Sequence, residues 1–129
     1  MTKQDIALRE VADIYEIARP VTSYIYRITA LVYGFQSMKV DHNQPHVLKY
    51  DDSHTGVELH HDKSDVTMNI MLSRSDSYGG GGTYFPDARK NVRLEFGDFL
   101  VHPGNAVHGG TPITHGSRYL MVIFAHEKK

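Results

Sequence analysis

Residues 57–65 read VELHHDKSD, two adjacent histidines and an aspartate inside a run that otherwise alternates like a strand. Residues two apart on a strand share a face. His60 and Asp62 therefore point one way, and His61 points the other way as a bystander. An imidazole and a carboxylate on one face are two lone-pair donors aimed at a common point. A second histidine would complete a two-histidine, one-carboxylate set whose open positions suit non-haem Fe(II). Two residues are candidates for that third ligand, His102 and His108, which flank the turn HPGNAVHGG.

Arg118 lies ten residues beyond His108 and opens the apolar run RYLMVIF. Alternation sets Arg118, Leu120, Val122 and Phe124 on one face. The intervening GGTPITHGS is rich in turn formers and folds the two strands back as neighbours. A guanidinium at the start of an inward-facing strand needs an anion, and a dicarboxylate would supply one through a bidentate pair. Other motifs carry less. The glycine run 79–82 lacks the Lys-Ser/Thr of a phosphate loop and reads as a tight strand entry. Met68, Met71 and Met121 sit in apolar strands and read as core. Asn69 and Thr114 read as ordinary strand and turn residues, and no serine occupies a G-x-S-x-G elbow.

These residues need a scaffold. The chain of 129 residues has the length of one domain, with 40% hydrophobic and 22% charged residues. Fourteen basic against fifteen acidic residues leave a formal charge of −1, which gives no global attraction to nucleic acid or to an anionic membrane. The absence of cysteine excludes disulfides, zinc–thiolate sites, iron–sulfur clusters and cysteine nucleophiles. Nine histidines make imidazole the available soft ligand. No segment reaches the length of an apolar membrane span and the first residues are charged and unlike a signal, so a cytoplasmic protein is expected.

Periodicity predicts an amphipathic helix over residues 5–18, ended by Arg19–Pro20, and a second helix opened by Pro20 with Val21, Tyr24, Ile25, Ile28 and Val32 along one stripe. Both are expected to cover a sheet. After Gly34 come short β-rich runs at 46–50, 56–62, 66–73, 83–85, 92–96, 98–102, 106–110 and 117–125, separated by turn signals. The expected architecture is mainly β: about eight strands closing into a roll, with two N-terminal helices packed on it. A single domain over 1–129 is expected, with 1–34 as helical support and 46–125 as the roll. Segments 37–46 and 74–91 carry the most turn-forming and charged residues and would frame an entrance.

From Tyr50 to Phe124 the order YDD, LHHDKSDVTMNIMLS, GGGTYF, FGDFLVHPGNAVHGGTPITHGSRYLMVIF resembles the Fe(II)- and 2-oxoglutarate-dependent dioxygenases. It is most similar to their prolyl- and lysyl-hydroxylase-like branch. The resemblance implies a double-stranded β-helix (jelly roll), with His60, Asp62 and His108 as iron ligands and Arg118 holding the distal carboxylate of 2-oxoglutarate. Tyr50 would help to hold that co-substrate, while His102 would be a supporting or surface group. The implied cofactors are Fe(II), 2-oxoglutarate and O2, with an ascorbate requirement left open. The implied reaction hydroxylates an unactivated C–H bond of a prolyl or lysyl side chain, in a peptide or a free amino acid, releasing succinate and CO2. An aspartate at position 62 implies hydroxylation, since halogenating relatives carry a small residue there. Two alternatives stand beside this reading: a cupin-like metal protein with non-oxidative chemistry, and a non-catalytic sensing or interaction module. No nucleic-acid or membrane partner is expected, and the oligomeric state is not legible.

Overall fold

The computed structural model describes residues 5–41 and 43–129. A short strand β1 (Asp5–Ala7) and a 3-10 turn (Leu8–Glu10) lead into helix α1 (Ala12–Tyr33). Eleven further strands follow: β2 (Met38–Val40), β3 (His46–Tyr50), β4 (Val57–His60), β5 (Val66–Met71), β6 (Tyr78–Gly80), β7 (Thr83–Phe85), β8 (Lys90–Val92), β9 (Phe99–Pro103), β10 (His108–Gly110), β11 (Ile113–Gly116) and β12 (Arg118–Glu127). One sheet runs β1-β3-β12-β5-β9, with β2 also paired to β12, and a second runs β4-β10-β7-β8. A separate ribbon pairs β11 with β6. From β3 onward the chain passes back and forth between the two large sheets, which is the winding of a jelly roll.

Strand β12 organises both faces of the larger sheet. Leu120 and Val122 point into the roll and join Tyr50, Met71, Tyr78 and Ile113 in one buried cluster. Met121, Ile123 and Ala125 point outward and join Val66, Met68, Ile70, Leu8 and Ile25 in a second cluster beneath the helix. The expected alternation of β12 and the three core methionines both hold, with Met68 and Met71 fully buried.

The N-terminal region differs from expectation. Among the described residues there is one α-helix where two were expected, and Pro20 lies inside it. Proline in a helix interior loses a backbone hydrogen bond, but Tyr15 and Ala18 before it and Ile25, Tyr26 and Tyr33 after it all pack on the same cluster. Tertiary contacts on both sides of Pro20 thus hold the helix continuous. Its end is set by Gly34 at φ 73°, whose N–H caps the last turn. Residues 5–10 do not join the α-helix, because Asp5–Ala7 pairs with Leu48–His46 along the sheet edge and Leu8–Glu10 forms a 3-10 turn.

The face that α1 turns to the sheet also differs. Thr22, Ile25 and Thr29 are buried there, whereas Val21, Tyr24 and Val32 of the expected stripe are exposed. Small residues let the helix approach the sheet closely, and tyrosine rings close the margins. Burial holds the Tyr26 hydroxyl up at about 12.

Twelve strands among the described residues replace the expected eight or so, the extra ones being short pieces such as β1, β2, β6 and β11. The run 92–96 leaves the ladder after Val92. Arg93 there donates instead to the carbonyls of Ser75, Tyr78 and Gly80, stapling that loop. Among the described residues, no helix is long and apolar enough to cross a membrane.

The cluster beneath α1 gives a direct stability test. Ile123 is fully buried between helix and sheet. Ile123→Ala is expected to cost about 2–5 kcal/mol in urea unfolding, with little change in the denaturant slope.

Candidate metal and co-substrate site

The site begins with a strand pairing. β10 runs antiparallel to β4 with His108 directly opposite His60, and their rings lie 4.5 Å apart. Asp62 falls just past the end of β4, where its backbone N–H donates to the Gly104 carbonyl at 2.8 Å. That contact needs glycine at 104, since a Cβ there would collide with the Ser64 carbonyl. The three side chains converge. His60 Nε2 is 3.3 Å from Asp62 Oδ1, and His108 Nε2 is 3.5 Å from Oδ2. One donor atom from each lies within 4.8 Å of the others.

Hydrogen bonds set the chemistry of these donors. His60 Nδ1–H donates to the Glu58 carbonyl at 2.7 Å, and His108 Nδ1–H donates to the Ala106 carbonyl at 2.9 Å. A carbonyl can only accept, so each Nδ1 carries a proton and each Nε2 is the ring nitrogen turned to the centre. Outer hydrogen bonds of this kind orient metal ligands and raise their basicity. Thr67 Oγ1 donates to Asp62 Oδ2 at 2.7 Å, and Ser64 bonds Thr67 at 2.7 Å. Two imidazoles and one carboxylate on one side of a point fit a divalent iron ion.

His102 is buried beside this cluster, with its ring 4.4 Å from that of His108 and 5.3 Å from Phe85. The surface alternative for it is therefore corrected: its place opposite Thr67 on β9 turns it inward. Its Nδ1–H donates to the Pro103 carbonyl, and burial lowers its pKa, keeping the ring neutral. It stands outside the convergent group of three. His61 is exposed.

A cavity of about 100 Å³ opens beside the cluster, lined by Tyr50, Thr67, Asn69, Leu120 and Val122 with His60, Asp62 and His108. Asn69, expected as an ordinary strand residue, and Thr67 are the site residues that the sequence reading missed. Their period-two spacing with buried Met71 was the available signal. His46 and Thr83 also line the cavity, one from each segment expected to frame the entrance.

Arg118 opens β12 directly opposite Tyr50 on β3. It is 1% exposed, and its Nε and Nη1 have no hydrogen-bond partner among the described residues. Its Cζ sits 4.9 Å from the centre of the Tyr50 ring, so Tyr50 lines the cavity while the guanidinium lies behind it. Burial raises the Tyr50 pKa, and the neighbouring Arg118 partly offsets this. The glycine run packs close by, with Gly81 at φ 77° against the Arg118 stem. A buried cation with N–H groups to spare fits an anionic ligand.

The chain has homologues among proteins named as 2-oxoglutarate dioxygenases and hydroxylases. It is 33% identical over 125 residues to procollagen-lysine,2-oxoglutarate 5-dioxygenase 1 of Rattus norvegicus, matching 93% of this chain and 17% of that protein. It is 35% identical over 66 residues to a PKHD-type hydroxylase of Delftia acidovorans, matching 50% of this chain and 29% of the other. The chain thus spans less than a third of the length of these relatives. Its fold is shared with viral collagen prolyl hydroxylase of Paramecium Bursaria Chlorella virus-1 at TM-score 0.67 and 14% identity, covering 90% of this chain and 70% of that one. A 2OG-Fe(II) oxygenase family oxidoreductase from Burkholderia pseudomallei matches at TM-score 0.65 and 16% identity, over 80% and 52%. No protein-family model matches the chain.

The bond from Thr67 to Asp62 predicts a graded response. Thr67→Val should weaken Mn(II) or Fe(II) affinity roughly 10–100-fold, read by calorimetry or manganese EPR. Asp62→Ala should abolish it, whereas His102→Ala should leave a measurable metal site.

Proposed function

We propose that this chain is a single Fe(II)- and 2-oxoglutarate-dependent hydroxylase domain, with residues 46–125 as its catalytic roll. His60, Asp62 and His108 hold the metal. Arg118 and Tyr50 receive the distal carboxylate of 2-oxoglutarate. The observation that carries this reading is the convergence of His60, Asp62 and His108 on a cavity also lined by Tyr50, whose ring lies against a buried guanidinium with unpartnered N–H groups. Bound iron would supply the oxygen chemistry that converts 2-oxoglutarate to succinate and CO2 and hydroxylates a C–H bond.

The chain's own residues supply positioning. The Glu58 and Ala106 carbonyls keep both imidazoles in the tautomer that a metal needs. Thr67 fixes the carboxylate rotamer. Leu48, Val57, Leu120, Val122 and Phe124 wall the cavity with apolar surface, which excludes water from the charged groups and strengthens their interactions. Arg118 orients the co-substrate, since a bidentate pair fixes direction as well as affinity. The names of the relatives, a procollagen-lysine dioxygenase and a collagen prolyl hydroxylase, support a prolyl or lysyl side chain as substrate, in a peptide or a free amino acid.

Adding Fe(II) and 2-oxoglutarate without oxygen should produce the visible charge-transfer band of a chelated keto acid, and oxygen should then release succinate. A cupin-like non-oxidative site would give neither signal, and a non-catalytic module would give the band without turnover. Arg118→Ala should raise the KM for 2-oxoglutarate at least about thirtyfold, since losing one partner of a buried charge pair costs about 2–5 kcal/mol. An unchanged KM would remove Arg118 from the proposal.

A further inference from the structure

The outer face of α1 carries an apolar seam that the fold leaves open. Its members are Ile14, Ile17, Val21, Tyr24, Ile28 and Leu31. Ile17 is 77% exposed and Leu31 82%, and Ile28 is half-buried. The steps between them are three, four, three, four and three residues, the alternation of a heptad seam. The neighbouring sector of the same helix, with Ala18, Thr22, Ile25 and Thr29, already serves the sheet. The helix is therefore apolar on two sides and polar on the third. A helix with that distribution belongs in an interior.

We propose that two copies of this chain associate through α1, with the two helices antiparallel. The seam is self-complementary in that orientation. About a two-fold axis between Thr22 and Ser23, Ile14 meets Leu31 of the second copy, Ile17 meets Ile28, and Val21 meets Tyr24. All six side chains then gain an apolar partner in a single isologous contact.

Charge selects the same orientation. Asp13 and Glu16 occupy the first half of the helix, while the one charge after Arg19 is Arg27 in the second half. Antiparallel packing lays the acidic end of one helix along the basic end of the other and opposes the two dipoles, whereas parallel packing aligns like with like. The area is adequate as well. A helix of 22 residues is about 33 Å long at 1.5 Å per residue. Its open face offers on the order of several hundred Å² per copy, the scale of the roughly 800 Å² per partner in a standard interface. A membrane is the weaker occupant. Interfacial helices carry a lysine- and arginine-rich polar face, whereas the charges of α1 balance at two arginines against Asp13 and Glu16.

Sedimentation of the whole chain at micromolar concentration should show a dimer that dissociates on dilution. The double substitution Ile17→Glu with Leu31→Glu should weaken association at least a hundredfold while leaving the far-ultraviolet circular dichroism unchanged. The chain has no cysteine, so oxidative cross-linking tests orientation cleanly with near-conservative changes. Val21→Cys should link to Tyr24→Cys of the second copy, and Ile14→Cys should link to Leu31→Cys but not to itself. A wild-type chain that stays monomeric overturns the proposal, including one that binds phosphatidylserine vesicles instead. So does a dimer that survives the double glutamate substitution, or Ile14→Cys pairing with itself.

Discussion

The antiparallel pairing of β4 with β10 is the constraint on which the rest depends. It sets His108 opposite His60 and leaves Asp62 to be placed by one backbone contact with Gly104. Three lone-pair groups concentrated at one point would repel one another and lose their hydration. The structure offsets this with hydrogen bonds at the outer edge of each ligand: Nδ1–H to carbonyl on both imidazoles, and the Thr67 hydroxyl on the carboxylate. What remains unsatisfied points inward. A cluster arranged in this way is preorganised for a cation: its polar groups are satisfied everywhere except toward the common centre.

The same reasoning applies to Arg118. A guanidinium at 1% exposure with two nitrogens lacking partners is costly to keep unless a ligand completes it. Tyr50 gives it a ring face, and the cation opposes the rise that burial causes in the phenol's pKa. Both residues sit at the same rung of one ladder, Tyr50 on β3 and Arg118 on β12. A one-residue slip of either strand would turn its own member of the pair out of the roll. The Arg118–Tyr50 pair is thus as dependent on register as the His60–His108 pair.

Much of this was legible in the residues because strand geometry is periodic. Period-two alternation sorted His60 and Asp62 from His61, and Arg118, Leu120 and Val122 from Met121 and Ile123, without any tertiary information. The choice between His102 and His108 was not legible from spacing, since both flank one turn; only the cross-strand register separates them. The helices were misread for a related reason. Pro20 is a strong local stop signal, but packing along both halves of α1 overrides it. The larger apolar stripe of α1 was assigned to the sheet, although the sheet takes the side with Thr22 and Thr29. Hydrophobic periodicity shows that a face wants cover; it does not say which of two apolar faces the fold will cover.

That last point ties the helix to the site. β12 is one ladder with two duties, since Leu120 and Val122 wall the cavity while Met121 and Ile123 lie beneath α1. Close packing transmits displacement, so movement of α1 against the outer side of β12 is felt by residues one position away on the inner side. Arg118 begins that strand and has no hydrogen-bonded anchor for its Nε and Nη1. Its placement therefore rests on Tyr50 and on the backbone of β12, and that backbone is held by β3 and β5 at its edges and by the helix above. Rigidity of the helical layer is accordingly part of how the guanidinium is aimed, although no atom of the helix approaches the chemistry.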